Sequence, residues 1–416
     1  MTASDVCDRP GQRFRLLVGS RRGLERHQTL RHAVQWSYDL LDDAEKSLLE
    51  RCSVFVGGFD VQSACAVAGF DDTDDYAVLD LLDALVRKSL IVANRSSRRA
   101  RFSMLETIRQ FAEDQLVARG EATEVRAAHA RHFAGREADI LALWDSTQQR
   151  EAYTWFSAEL ANLRTAFRWA ADHGDLDVAA AIATYAGFFG QWVENYEPTA
   201  WAEELIDPAR AVDHPRLAAL YVMASQCWMT GRIEAALRYS EAGQALIGSR
   251  PEEVPYGSTE GLLGNVYIAS GQLERAVEWY RGQLARSDTH TFTRVGLGLA
   301  LTMAGRPDEA MVVVNGLVDT AEATRNPLAL SYALFTDGLA FRDADPDRAS
   351  ARWMNTTAEN GGFEVIPFVV EMVVAVIRSL HIWGSDRRGT KSRLGSGSQR
   401  PRGARRYTAP ASSSVI

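Results

Sequence analysis

The chain has 416 residues, a formal net charge of −8 and 24% charged side chains, a balance that excludes wholesale coating of nucleic acid. Hydrophobic residues make up 46%, enough at this length for a sizeable core and for two or three domains. Lys46, Lys88 and Lys391 are the only lysines, so arginine supplies nearly all the positive charge.

Residues 1–26 hold no complete element beyond a short strand candidate in FRLLVGS, and are expected to be the remnant of a preceding module. Residues 28–41 place Leu30, Val34, Tyr38 and Leu41 near helical spacing. Asp42 then reads as an N-cap with Glu45 as its capping-box partner, and Leu48, Leu49, Cys52, Val54 and Phe55 as the apolar face that follows. Gly57-Gly58 ends this helix, and a third runs from Val61 to Ala68. A fourth runs from Tyr76 to Ser89, with Leu79, Leu82 and Leu85 expected to face inward. LIVANRSSRRARFSM reads as two short strands joined by a polar turn, and helix returns from Met104 to Leu116. Helices followed by a β-hairpin make the winged-helix pattern, here over 27–120.

From 121 to 383 the pattern is helical only. Two amphipathic helices are predicted around the turn Asp172-His173-Gly174-Asp175. Gly231, Gly271 and Gly305 then punctuate helix pairs at steps of 40 and 34 residues, each followed five positions later by alanine: Ala236, Ala276 and Ala310. A weaker fourth copy carries Ala344 and Ala349. Gly264, Tyr267, Gly271, Ala276 and Tyr280 fit the tetratricopeptide pattern best, small residues letting paired helices approach and aromatics filling the gap to the next hairpin. The expected fold is mainly α: a winged-helix domain followed by an α-helical tetratricopeptide-like repeat solenoid, with a concave face left for a partner. The apolar run 365–376 contains Glu371 and is too short to span a bilayer. Residues 384–416 are basic and nearly free of aliphatic side chains, the composition of a disordered tail.

Chemistry-bearing motifs are scarce. Gly384-SDRR-Gly389-Thr390-Lys391-Ser392 imitates a phosphate-binding loop but has one residue too many before the lysine and no helix after it, so the chain lacks a P-loop. Cys7, Cys52, Cys65 and Cys227 show no CxxC spacing and read as buried thiols in a reducing compartment, the cytoplasm by default. His129 and His132 share a helix face, but no third ligand joins them, and flanking charges suggest a solvated face. No metal site and no catalytic residue is expected, hence no enzyme. Arg95, Arg98, Arg99 and Arg101 make a basic wing suited to DNA phosphates, with Arg87 and Lys88 before it. The helix that would enter a major groove carries Asp80 and Asp83 and little that reads bases. Trp144, Trp155, Trp169, Trp192 and Trp201 are expected in the core.

RHQTLRHAVQWSYDLLDDAEKSLLERCSVFVGGF, LVRKSLI and FSMLETIRQFAEDQL together resemble the signal-transduction ATPases with numerous domains, in particular actinobacterial regulators of the LuxR and SARP types. AELANLRTAFRWAADHGD resembles the start of their sensor region. The resemblance covers roughly residues 12–320. It implies an NB-ARC-like ATPase module, then a winged helix that clamps bound ADP, then a repeat-rich sensor. In such relatives a Met-His-Asp motif touches the nucleotide; the matching positions here are Met104, Leu105 and Glu106, with leucine in place of histidine and expected to pack instead. The P-loop, the Walker B strand and the LuxR-type DNA-binding domain have no counterpart. The chain is therefore expected to be a truncated relative, non-enzymatic, binding a protein partner or a small-molecule inducer through its repeats. It would meet ADP or ATP only if an ATPase module is supplied in trans. A DNA-binding regulator and one half of a split ATPase are the alternatives.

Overall fold

The computed structural model describes residues 31–68, 75–94, 100–249, 261–286 and 291–359. The expectations for residues 1–26, for the apolar run 365–376 and for the basic tail lie outside them.

The first helix covers 31–39 (α1), and Val34, Tyr38 and Leu41 are buried as its spacing requires. Asp42 caps α2 (Asp43–Arg51): its carboxylate accepts from the Glu45 backbone N–H, and the Glu45 side chain accepts from Asp42 N–H in return. A 3₁₀ turn, Cys52–Val54, leads to Gly57 and Gly58 and then to α3 (Val61–Ala68).

Helix α4 (Asp75–Arg87) ends two residues before the predicted stop. Ser89 adopts a left-handed φ of 58°, and the Leu90 N–H reaches back to Leu85 O at 3.0 Å, turning the chain into the hairpin. Val78, Leu82 and Leu85 form the buried stripe of α4, whereas Leu79, expected inside, is 41% exposed. Steps of four and three set the 78–82–85 stripe, and Leu79 lies one position around from it.

Strands β1 (Val92–Asn94) and β2 (Arg101–Ser103) pair antiparallel, with Ala93 opposite Phe102. Phe59 adds a third rung through two backbone hydrogen bonds with Phe102, at 2.7 and 2.8 Å. Helix α5 (Glu106–Arg119) closes the winged helix and stops at Gly120, whose φ is 78°. Buried Glu50 ties this unit together, accepting from Tyr38 Oη and pairing with Arg119 Nε at 2.6 Å.

The helical body follows with α6 (Ala122–Gly135), α7 (Glu137–Trp144), α8 (Gln149–Asp172), α9 (Leu176–Trp192) and α10 (Glu197–Ala211). It continues with α11 (Leu217–Ser225), α12 (Ile233–Ser249), α13 (Leu262–Ala269), α14 (Leu273–Arg286) and α15 (Thr291–Met303). The last four are α16 (Pro307–Val314), α17 (Leu317–Thr324), α18 (Pro327–Phe341) and α19 (Pro346–Glu359).

The hairpin turns fall where the glycines place them. Gly231, Gly271 and Gly305 have φ of 83°, 75° and 74°, and Ala236, Ala276 and Ala310 are fully buried. The fourth copy is also a hairpin, α18–α19, with Ala349 buried and Ala344 exposed at the turn. In the third repeat the second helix is divided into α16 and α17 at left-handed Gly316.

One expectation about this body changes. Helix α9 is not amphipathic: every residue from 179 to 191 is buried, because neighbours pack on all its sides. The stack also curls back on itself. Gln149 donates to Asn326 Oδ1 at 3.0 Å and accepts from the Leu328 N–H at 3.2 Å, while Asn326 Nδ2 reaches Trp144 O at 3.2 Å. Trp144 stacks on Phe292, and Trp192 meets Tyr332 edge to face. The start of α18 thus touches the turn between α7 and α8. One hydrophobic core runs from Val34 in α1 to Ala340 in α18.

Candidate functional site

The seam between the winged helix and the helical body holds the most organised polar cluster among the described residues. Helix α8 runs past the wing with the spacing of a packed face: Phe156, Glu159, Asn162, Leu163 and Ala166 are all buried. Two of these are polar, so each needs partners.

Asn162 finds three. Its Oδ1 accepts from the Val56 N–H at 2.7 Å, and its Nδ2 donates to Gly58 O at 2.8 Å and to Glu159 Oε2 at 2.6 Å. The double-glycine bend is thereby read by one side-chain amide. Gly58 has φ of 108°, and a Cβ there would lie 2.9 Å from Phe102 O, so only glycine lets this bend sit against β2. Glu159, 2% exposed, receives Arg101 Nη1 from β2. Backbone bend, wing strand and α8 therefore meet in one network.

The predicted nucleic-acid residues divide. Arg95, Arg98 and Arg99 lie outside the described residues. Arg101 is turned inward to Glu159, and the other basic residues near the wing are likewise engaged: Arg87 with Asp83, and Lys88 with buried Glu45. The outer side of α4 presents Tyr76, Leu79 and Asp80.

Met104, Leu105 and Glu106 stand at the start of α5. Met104 packs on the core. Leu105, expected to pack, is 62% exposed, because as N-cap residue with extended backbone it sits before the helix turns inward. Glu106 holds Arg109 at 2.9 Å, and that hydrogen bond keeps its carboxyl below the usual carboxylate range. Arg109 also reaches Ser53 O and Glu113.

The histidine pair is not solvated. His129 is 2% exposed, edge-on to Phe55 and Phe133 at 5.1 and 4.9 Å. Burial, reinforced by His132 and opposed by Asn162, lowers it to about 3. His132 lies 3.2 Å from Ser63 Oγ and is lowered to about 4, chiefly by burial. Among the described residues no group of His, Cys, Asp and Glu is placed to hold a metal. Cys52 and Cys227 are buried thiols; burial raises both, Cys227 to about 11. Trp144 and Trp201 are buried; Trp155, Trp169 and Trp192 are half-buried against the same core.

The repeat residues do the packing assigned to them. Tyr280 is buried between Gly264 and Gly296, where added Cβ atoms would lie 2.6 and 2.5 Å from its Cζ, and its hydroxyl donates to Asn265. Tyr267 is covered by the Arg275 guanidinium at 4.3 Å from its ring centre. Sequence reasoning missed Asn162, Glu159 and the Gln149–Asn326 pair. Their one visible signal is a polar residue on the apolar stripe of an amphipathic helix.

Residues 41–117 match the winged helix-turn-helix domain. That stretch runs from the capping turn before α2 into α5, and so contains the bend and hairpin that Asn162 and Glu159 hold. The chain is homologous to proteins of Mycobacterium bovis and Mycobacterium tuberculosis named "putative HTH-type transcriptional regulator", each 38% identical over 213 residues. That alignment covers 50% of this chain and 24% of each relative, so the chain spans about a quarter of the regulators it matches. An "uncharacterized protein" of Mycobacterium tuberculosis is 40% identical over 123 residues, 29% of this chain and 31% of its own. Among solved structures, a signal transduction ATPase with a tetratricopeptide repeat sensor from Pyrococcus horikoshii is 13% identical with a TM-score of 0.38, over 84% of this chain and 62% of that one. No helix of the described residues is long and apolar enough to cross a membrane.

Proposed function

We propose that this chain is a non-enzymatic signalling part of a transcriptional regulator, acting by binding a protein or a small-molecule inducer through its helical body. The observation that carries this reading is the Asn162–Glu159–Arg101 network. It fixes the winged helix-turn-helix domain to α8, so that a shift of the body is felt at the wing. The homology to HTH-type regulators supports the regulatory setting. The sequence carries no P-loop, and this reading assigns the chain no cofactor. Exposed Leu105 and its neighbours Met104 and Glu106 would meet ADP or ATP only on an ATPase module supplied in trans. The test is steady-state ATP hydrolysis by the purified chain. Turnover no higher than a buffer blank is expected, and turnover that rises with chain concentration would overturn the reading.

The winged helix-turn-helix match favours a second reading, DNA binding through the wing. A gel shift across a salt series decides it, provided Arg95, Arg98 and Arg99 are replaced and Arg101 is left in place. Loss of a salt-sensitive complex in that triple variant would support DNA binding; no complex even at low salt would eliminate it.

A further inference from the structure

Four residues after the alanines Ala236, Ala276, Ala310 and Ala349 stand Ser240, Tyr280, Val314 and Trp353. In the first three repeats this position meets the first helix of the next hairpin. Ser240 Oγ donates to Leu263 O in α13 at 2.7 Å. Tyr280 fills the space between Gly264 of its own hairpin and Gly296 of the next, in α15. Val314 meets Gly298 of its own hairpin, and Thr336 of α18 closes on the same glycine. These three residues are 0%, 1% and 0% exposed.

Trp353 has only half of this setting among the described residues. On one side it abuts Gly338 of α18, where an added Cβ would lie 2.6 Å from its Nε1. No further hairpin follows α19 among the described residues, and Trp353 is 36% exposed, with neighbouring Met354 at 66%. An indole exposed at a position that the earlier repeats bury completely is a surface that wants a cover.

The sequence says what can supply it. The apolar run 365–376 begins six residues after Glu359, the last residue of α19, and its one charged residue is Glu371. Six residues span at most about 20 Å, and Trp353 lies about 9 Å back along α19, so the run starts within reach of the indole. Apolar surface of this extent gains by leaving water. We infer that residues 365–376 seat on Trp353, in the place that α13, α15 and α18 take on the three hairpins before it. The occupant is a segment of the same chain, so this end of the stack is closed from within and a partner of the body binds elsewhere. The inference goes beyond the functional reading and does not depend on it.

Hydrogen exchange of the full chain, read by mass spectrometry, tests it. Peptides across 365–376 are expected to be protected, and equally so at high and low protein concentration. Trp353→Ala is expected to speed their exchange at least tenfold and Trp353→Tyr to leave it near wild type, with the winged-helix amides unchanged in both. From the other side, a variant carrying Val373→Asp and Val374→Asp is expected to speed exchange in α19 at least tenfold. Wild-type exchange of 365–376 at the rate of an unstructured chain, or protection untouched by Trp353→Ala, would overturn the inference. Protection lost on dilution would overturn it as well, because the cover would then be a second copy. If Trp353→Ala does not fold, the double aspartate variant decides: quickened α19 exchange supports the seat, and unchanged α19 exchange refutes it.

Discussion

Asn162 is a single amide whose three hydrogen bonds serve two backbone groups of the bend and one buried carboxylate. Replacing it with alanine strands the Val56 N–H and Gly58 O, so Asn162→Ala is expected to cost about 3 kcal/mol in a denaturant melt. Arg101→Met leaves Glu159 as an uncompensated buried charge and is expected to cost about as much. A DNA assay built on Arg101 would therefore report folding. His129 sets a pH dependence. In the unfolded chain it titrates near 6.5, in the fold only near 3, so between those values the unfolded state binds the extra proton. Stability is full above pH 6.5 and falls as pH drops toward 3. His129→Leu is expected to remove about 2 kcal/mol of the loss between pH 7 and pH 5, read from urea midpoints at the two pH values. At this scale the sequence was an uneven guide. The arginines of the wing were visible as basic, but Arg101's partner lies 58 residues away on another helix. Leu105 and the two histidines were misjudged because exposure depends on neighbours that spacing does not name.

Helices and their turns were far more legible, because the forces that set them act within a few residues. The Asp42–Glu45 capping box, the Gly57-Gly58 break, Val61–Ala68 and the three glycine turns all stand where local pattern placed them. What spacing did not convey is cover from outside: α9 looks amphipathic in sequence and is buried all round in the fold. The repeat packing gives a paired test on two glycines. Gly296→Ala drives a methyl into the buried Tyr280 ring, and about 2 kcal/mol of destabilisation is expected. Gly282→Ala, on the open side of α14 with nothing within 4 Å, is expected to raise stability by about 0.5–1 kcal/mol. Thermal melts of the two variants should move in opposite directions.

The whole molecule is organised by contacts between segments far apart in the chain. Gln149 meets Asn326 across 177 residues, and Asn162 meets Gly58 across 104. Such pairings leave no local periodicity, so the sequence pointed to a winged helix followed by a repeat solenoid but not to the contacts between distant segments. The fold has the winged helix fixed to that body, with one core running through both and the start of α18 meeting the α7–α8 turn. On the proposed reading, what moves α8 moves the wing. The central claim is that the winged helix-turn-helix domain and the helical body behave as one unit held at Asn162. Native-state hydrogen exchange at the β1 and β2 amides, compared between the wild-type chain and Asn162→Ala, tests it most directly. Those amides are expected to exchange only through the opening that also releases α8, and to become exposed earlier than α8 once Asn162 is removed. Wing amides that already open well below the α8 opening in the wild-type chain, and are unchanged by the substitution, would contradict it.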